Sequence, residues 1–328
     1  MSDRLTFARS FAKSHGADIS TMRMIAGDAS QRKYYRVQRQ NQSVIVMDAP
    51  PDKGEDTAPF IAMASYLRAA GLSAPDVLEA DPHMGFLLIE DLGDDLFARR
   101  LADGSADEKT LYTAATDVLV HLHQQAPPAL AHYDARTMAD LAALAFDWYA
   151  LTGQDRTAFV MPMEVVLRDL DTAPRVLIQR DYHAENLLWL PDRKGVARVG
   201  LLDFQDAMLG HHAYDLVSVL QDARRDVPRQ IEAQMIDHYI NTAGLDRPRF
   251  LRAYHLLGLQ RNLRIVGVFA RLWRRDGRPS YIDLIPRVWE FVTRNLDMIE
   301  DRNLTHLVLQ SLPSPTPEHL DKLRAAGG

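Results

Sequence analysis

Two short runs constrain this chain more than any other part of it: Gln179-Arg180-Asp181-Tyr182-His183-Ala184-Glu185-Asn186-Leu187-Leu188, and then Gly200-Leu201-Leu202-Asp203-Phe204-Gln205-Asp206. Val176 to Ile178 and Leu187 to Leu190 read as short apolar strands, so the polar residues between them sit on a tight connection anchored at both ends. Such a loop holds Asp181 and Asn186 rigidly. The apolar run Val199 to Leu202 delivers Asp203 in the same way, and three oxygen-bearing side chains are expected to converge.

Asp and Asn oxygens suit a hard cation such as Mg²⁺, which is commonly held by one or two carboxylates plus substrate phosphates. An Asp left off the metal can take a proton from a hydroxyl. Phosphoryl transfer needs this set: a base, an Asn on metal five positions later, and a metal-binding Asp from another segment. The kinase signature H-R-D-x-x-x-x-N followed by D-F-G is matched by Gln179-Arg180-Asp181 with Asn186, and by Asp203-Phe204-Gln205. Asp-x-x-x-x-Asn alone arises often by chance. Between strands, and followed about twenty residues later by apolar-apolar-Asp-Phe, it is specific, and the competing reading is solvated loop acids with no shared site. Asp181 is thus the expected base, and Asn186 and Asp203 the expected metal ligands.

Two departures separate the chain from protein kinases. Tyr182-His183-Ala184-Glu185 replaces a Leu-Lys-Pro-Glu type of loop, and Gln205 replaces the Gly of D-F-G. The His-x-x-Asn-Leu-Leu wording resembles the aminoglycoside phosphotransferase and choline kinase superfamily, whose members phosphorylate small molecules on a kinase-like fold. The resemblance implies an α+β, bilobal protein-kinase-like fold with a small antiparallel-sheet N-lobe and a mainly helical C-lobe. Residues 1–92 would form the nucleotide-covering lobe and residues 93–328 the catalytic and acceptor-binding lobe, with ATP as donor and Mg²⁺ as cofactor.

Thr21 to Ile25 and Tyr34 to Gln38 read as a hairpin with a polar tip. In a kinase-like fold that hairpin covers the phosphates, and Gly27, Ala29 and Ser30 would let it approach closely. The next strand, Ser43 to Asp48, has Met47 where kinases carry the phosphate-pairing Lys. A thioether cannot neutralise phosphate, so another cation is needed. Arg32, which shares a strand face with Tyr34 and Arg36, is the expected substitute, the alternative being a solvated hairpin charge. A helix capped by Asp56 or Thr57 follows, with Phe60, Ile61, Ala64 and Leu67 on one face and no Glu in its body; Glu55 just before it could meet an Arg. The strand Gly85 to Glu90, leading to Asp91-Leu92-Gly93, resembles the superfamily's hinge, where Glu90 and Leu92 would offer main-chain groups to adenine. The missing Lys also leaves open a nucleotide-binding pseudokinase.

Asp107 to Gln125 and Arg136 to Thr152 are amphipathic by spacing. His121, His123, His211 and His212 read as helix-end or buried histidines rather than metal ligands. Asp215 opens a further helix and is either a brace for the catalytic loop, as in the superfamily, or a helix cap. From Arg247 to Arg278 there are nine Arg against one acid, Asp276, and Arg261, Arg264, Arg271 and Arg275 share one helix face. An acceptor bearing a carboxylate could be held there by an Arg fork, whereas a polycation would be repelled. After Ser311 a Pro-rich linker reads as leading to a loosely packed tail.

The 328 residues contain no Cys, which excludes disulfides, thiolate catalysis and Cys-based zinc sites. A net charge of −6 offers no global attraction for nucleic acid or an anionic membrane. Gly27-Asp28-Ala29-Ser30, Met47 to Pro51, Asp203 to Ala207, Gln221 to Arg224 and the Gln260 to Gly277 run together resemble the bacterial cell-wall-recycling sugar kinases. These phosphorylate N-acetylmuramate and N-acetylglucosamine at the anomeric hydroxyl. The resemblance implies an amino-sugar acceptor met by His183, Gln205, Asp206, Arg261 and Arg264, with ATP and the sugar as partners; with no apolar run near the length of a membrane span and no signal-like apolar core at its start, a cytoplasmic protein is expected, and a monomer. The alternative acceptor is another small alcohol, an aminoglycoside or a choline-like metabolite.

Overall fold

The computed structural model describes residues 4–25, 31–151 and 156–326. The chain divides into two compact units, Met1–Leu122 with Ala184–Ala207, and His123–His183 with Met208–Gly328.

The first unit begins with α1 (Arg4–Ser14) and three strands, β1 (Ala17–Met24), β2 (Lys33–Arg39) and β3 (Gln42–Asp48), followed by α2 (Ala58–Ala69), β4 (Val77–Asp81) and β5 (Phe86–Glu90). The strands form one antiparallel sheet in the order β1-β2-β3-β5-β4. Gln40 and Asn41, both at positive φ (50° and 65°), make the two-residue turn that matches the twist of β2 and β3. β3 is the central strand, so its Val44-Ile45-Val46-Met47-Asp48 run is buried on both faces and reads as continuously apolar. Val44 and Val46 pack with Val37, Phe86 and Leu88 against Ala8, Phe11 and Ala12 of α1. Asp48 at the strand end is 2% exposed and takes Arg4 Nε at 3.1 Å. Asp56 receives the first-turn N–H of Ala58 (2.8 Å). Helices α3 (Phe97–Ala102) and α4 (Glu108–Leu122) complete this part.

The chain then runs through α5 (Ala135–Ala142), α6 (Leu144–Trp148), α7 (Arg156–Leu167), β6 (Arg175–Ile178), β7 (Leu187–Trp189), β8 (Val199–Leu201) and β9 (Met208–His211). The β7–β8 hairpin belongs to the first unit, where Gly200 bridges Ser73 and Leu188 bridges Leu96. β6 pairs with β9 in the second unit. A Cβ on Gly210 would lie 2.5 Å from Ile178 Cδ1, so glycine here leaves room for the Ile178 side chain between the two strands.

The second unit continues with α8 (Tyr214–Leu220), α9 (Arg229–Ala243), α10 (Arg247–Arg274), α11 (Ile285–Ile299), α12 (Arg302–Ser311) and α13 (Pro317–Ala325). The 28-residue α10 starts at Asp246, whose carboxylate accepts the Arg249 N–H, and packs on α5, α6, α8 and α11. Gln221, Asn262 and Asn295, all fully buried, tie α8, α10 and α11 together through amide bonds of 2.8 and 2.9 Å.

Two expectations need correction. The helix read over Arg136 to Thr152 is divided into α5 and α6, and the break lies beside Gly267 of α10, where any Cβ would sit 2.2 Å from the Leu144 carbonyl carbon. The segment after Ser311 is not a loose tail. Thr316 caps α13, Leu320 and Leu323 are buried, and Trp273 Nε1 donates to the Leu323 carbonyl at 3.1 Å. Apolar residues three apart on a capped turn suffice to dock a short helix that its Pro-rich approach disguises.

Candidate active site

In the second unit, β6 ends at Ile178 and the loop Gln179 to His183 begins. Asp215 in the first turn of α8 is fully buried, and its two oxygens accept the N–H groups of Gln179 (2.6 Å) and Arg180 (2.9 Å). Ser218 Oγ donates to the Arg180 carbonyl at 3.4 Å. Arg180 is thereby held at φ 72°, a left-handed conformation that a long side chain adopts only when its surroundings enforce it. Its guanidinium lies over the Tyr133 ring, 5.7 Å from the centroid. Burial pushes the Asp215 carboxyl up to about 7 despite the two N–H donors, and the neighbouring Asp181 adds to the rise.

Asp181 follows directly. Burial works to raise its carboxyl, and the cations Arg264, Arg261 and Arg180, with His183, outweigh that and hold it below the usual carboxylate value. Arg261 of α10 is 4% exposed, with Nε and Nη1 buried and unbonded, so its charge acts on Asp181 and Asp215 as a field. Arg264, one turn on, reaches Tyr214 Oη at 3.4 Å, and Tyr214 in turn meets Tyr133 Oη at 3.4 Å. His183 is 7% exposed, and burial holds its imidazole down at about 4, with Arg224 and Arg261 lowering it further against the pull of Asp222 and Asp181. Arg224 Nη1 stands 3.4 Å from its Nε2. The second unit thus brings together Asp181, His183, Arg261, Arg264 and Asp215.

In the first unit, the β7–β8 hairpin carries Asn186 and Asp203. The Leu202 N–H donates to the Asn186 carbonyl (3.0 Å), and Asn186 Nδ2 stands 3.5 Å from Asp203 Oδ2. Asp203 is at φ 57°, left-handed like Arg180 beside the expected base. Phe204, fully buried and 5.0 Å from the Phe60 ring of α2, clamps that turn. Gln205 Nε2 donates to Asp203 Oδ1 at 2.6 Å, so the residue in place of the D-F-G glycine orients the carboxylate. Asp206 is exposed, and its charge helps raise Arg32. One carboxylate and one amide side by side make a hard-oxygen pair of the kind Mg²⁺ takes when phosphates and water complete its shell, so these residues fit the ion.

Arg32 Nε meets Glu55 Oε2 at 2.6 Å just before α2, and both side chains are largely buried. Met47 is fully buried in β3, in register with Tyr34. The Glu90 N–H goes to the Asp76 carbonyl (2.8 Å), so of its main-chain groups only the carbonyl can serve a nucleotide; its carboxylate is held by Arg193 at 2.5 Å. Leu92 is half-buried beside Gly200. Gly27, Ala29 and Ser30 lie outside the described residues. Sequence reasoning missed the grip of Arg36 on Asp91 and Asp94, both at 2.6 Å, although the shared face of Arg32, Tyr34 and Arg36 was the signal for it. His123, His211 and His212, read as buried or helix-end histidines, pack among aromatic side chains: His212 stacks on Phe250 at 5.4 Å, and His123 Nδ1 bonds Tyr239 Oη at 2.6 Å.

The profile of the phosphotransferase enzyme family matches residues 21–253. The chain is similar to the N-acetylmuramate/N-acetylglucosamine kinase of Caulobacter vibrioides, with 40% identity over 89% of this chain and 92% of that protein. It is similar also to the protein of the same name from Pseudomonas aeruginosa, with 34% identity over 81% of each. Among solved structures, choline kinase LicA from Streptococcus pneumoniae superposes with a TM-score of 0.64 at 15% identity, covering 88% of this chain and 98% of that one, which shows a shared kinase-like fold. By the family profile and by these relatives, the chain belongs to the phosphotransferase enzyme family.

Proposed function

We propose that this protein phosphorylates the anomeric hydroxyl of N-acetylmuramate and N-acetylglucosamine with ATP, as a cytoplasmic monomer. The observation that carries the chemistry is Asp181, kept ionised below the ordinary carboxylate range by Arg264 and Arg261 on a loop that Asp215 pins. The names of the similar proteins support the choice of acceptor.

In this reading residues 1–92 cover the nucleotide and residues 93–328 carry the catalytic and acceptor groups. Asp181 accepts the proton of the sugar's C1 hydroxyl as that oxygen bonds to the γ-phosphorus, and the bond from the γ-phosphorus to the ADP oxygen breaks. Asn186 and Asp203 would hold Mg²⁺, which would offset phosphate charge. Arg32, oriented by Glu55, supplies the cation that Met47 cannot. Gly27, Ala29 and Ser30 offer amides to the phosphates, and Glu90 and Leu92 offer main-chain groups to adenine. His183, Gln205, Asp206, Arg261 and Arg264 are the residues assigned to the acceptor, and Gln205 acts through Asp203.

The test is ³¹P NMR of the protein with ATP, Mg²⁺ and each sugar. A proton-coupled sugar-1-phosphate signal is expected, and Asp181→Asn should slow its appearance by about 10²-fold or more while ATP binding persists. ATP binding with neither sugar modified would sink the proposal, and equal loss of binding and turnover in the variant would make Asp181 structural.

A further inference from the structure

The row of arginines on α10 is not uniform. Phe250 is buried, and burial is continuous from Ala253 to Leu263; from Arg264 onward a strip emerges, with Arg264, Val268, Arg271 and Leu272 half-buried and Arg275 exposed. Arg261 and Arg264 are answered by Asp181. Arg275 is answered by Asp276, which it grips at 2.7 and 3.0 Å. Arg271 stands between these groups, makes no ion pair among the described residues, and has its Nε buried with no hydrogen-bond partner. Burial and the charges of Arg275 and Arg264 press its ionised form downward, with Asp276 alone opposing. A half-buried guanidinium flanked by other cations is a costly arrangement to keep without an anion.

The geometry of the strip indicates which anion. Arg264 and Arg271 are two turns apart, about 10 Å along the axis, with Val268 between them on the same face. Helical side chains lean toward the N-terminus, which favours the Arg271 fork on the side of Val268, and Arg264 is near enough for its charge to act on Arg271. The close approach of Gly267 to α6 fixes the rotation of the helix. The strip therefore presents, in order from the base, a cation already engaged, an apolar floor, and a planar fork with spare donors.

We propose that Arg271 recognises a carboxylate carried on a short alkyl ether arm of the acceptor, with Val268 beneath the alkyl part, and thereby sets the preference for N-acetylmuramate over N-acetylglucosamine. This rests on the acceptor reading above, in which Asp181 meets the anomeric hydroxyl. Arg261 and Arg264 serve the base, whereas Arg271 reads the substituent that distinguishes the two sugars.

The experiment measures kcat/KM of the full chain and of Arg271→Gln and Arg271→Lys with N-acetylmuramate, its methyl ester and N-acetylglucosamine. Arg271→Gln should lower kcat/KM for N-acetylmuramate about tenfold, mainly through KM, as expected for loss of a charge-assisted fork. The ester and N-acetylglucosamine should change less than about twofold, and Arg271→Lys should recover part of the loss. Equal losses on all three acceptors, or no loss on N-acetylmuramate, would overturn the inference while leaving the sugar kinase intact. A wild-type protein that turns over neither sugar would overturn the proposed function and this inference with it.

Discussion

Arginines are treated in opposite ways in the two units. In the first unit four arginines around the sheet are matched by acids: Arg32 with Glu55, Arg36 with Asp91 and Asp94, Arg39 with Glu79, Arg193 with Glu90. Along α10 of the second unit they outnumber their acids, and the excess falls on the face that leads away from Asp181. A matched cation fixes structure, while an unmatched one holds a field or waits for a ligand. Arg32 spans both descriptions, because its Glu55 partner leaves the rest of its guanidinium fork to other groups.

The largest expected effect that tests this contrast is on the matched side. Arg36→Gln removes the cation from the largely buried Asp91, which keeps Ser43 Oγ and the Gly93 N–H as donors, and should cost about 3 kcal/mol in denaturant unfolding with KM for ATP unchanged. A shift in ATP affinity with unchanged stability would reverse the assignment. Arg32→Gln should raise KM for ATP about tenfold, with a smaller stability loss. On the unmatched side, Arg264→Gln removes the largest of the charges that depress Asp181, so the acid limb of the kcat/KM profile should move to higher pH, with a larger loss on the acid side than at pH 8. An unmoved limb would show that Arg264 does not govern the base.

The buried histidines of the second unit set how stability depends on pH. His123 and His211 are held at about 3, and His183 and His212 at about 4, each chiefly by burial. Below the unfolded value of 6.5 the unfolded chain binds protons that the folded chain refuses, so stability falls as pH drops from about 6.5 toward 4, by up to about 1.4 kcal/mol per pH unit per histidine. Asp215, raised to about 7, binds its proton earlier when folded and opposes this with one proton over much of the same window. Thermal unfolding of His212→Phe, which keeps the stack on Phe250, should show a shallower acid loss than wild type.

The parts of the molecule legible in the sequence are those where a short apolar run ends at a polar residue. β6, β7 and β8 are three or four residues long, yet their Val-Leu-Ile, Leu-Leu-Trp and Val-Gly-Leu wording fixes where Asp181, Asn186 and Asp203 fall. The split between α5 and α6 was not legible, because it is tied to a glycine more than a hundred residues away in α10. Nor was α7, whose interior Pro162 argues against a helix on local grounds. The hold of Gln205 on Asp203 and of Arg193 on Glu90 depends on where turns aim side chains, which periodicity does not encode. Asp215 was placed by its motif, but its two backbone acceptor bonds needed coordinates.

The contact at Gly267 has a consequence for how acceptor range can change. With the helix pinned there, α10 is a ruler whose zero mark is set near Asp181 and whose graduations are turns of about 5.4 Å. If Arg271 reads an anionic arm of the acceptor, a shorter arm would be met by moving that charge to position 268, with no rebuilding of the scaffold. Diversification along this face is a matter of single substitutions, and the catalytic loop stays untouched while it happens.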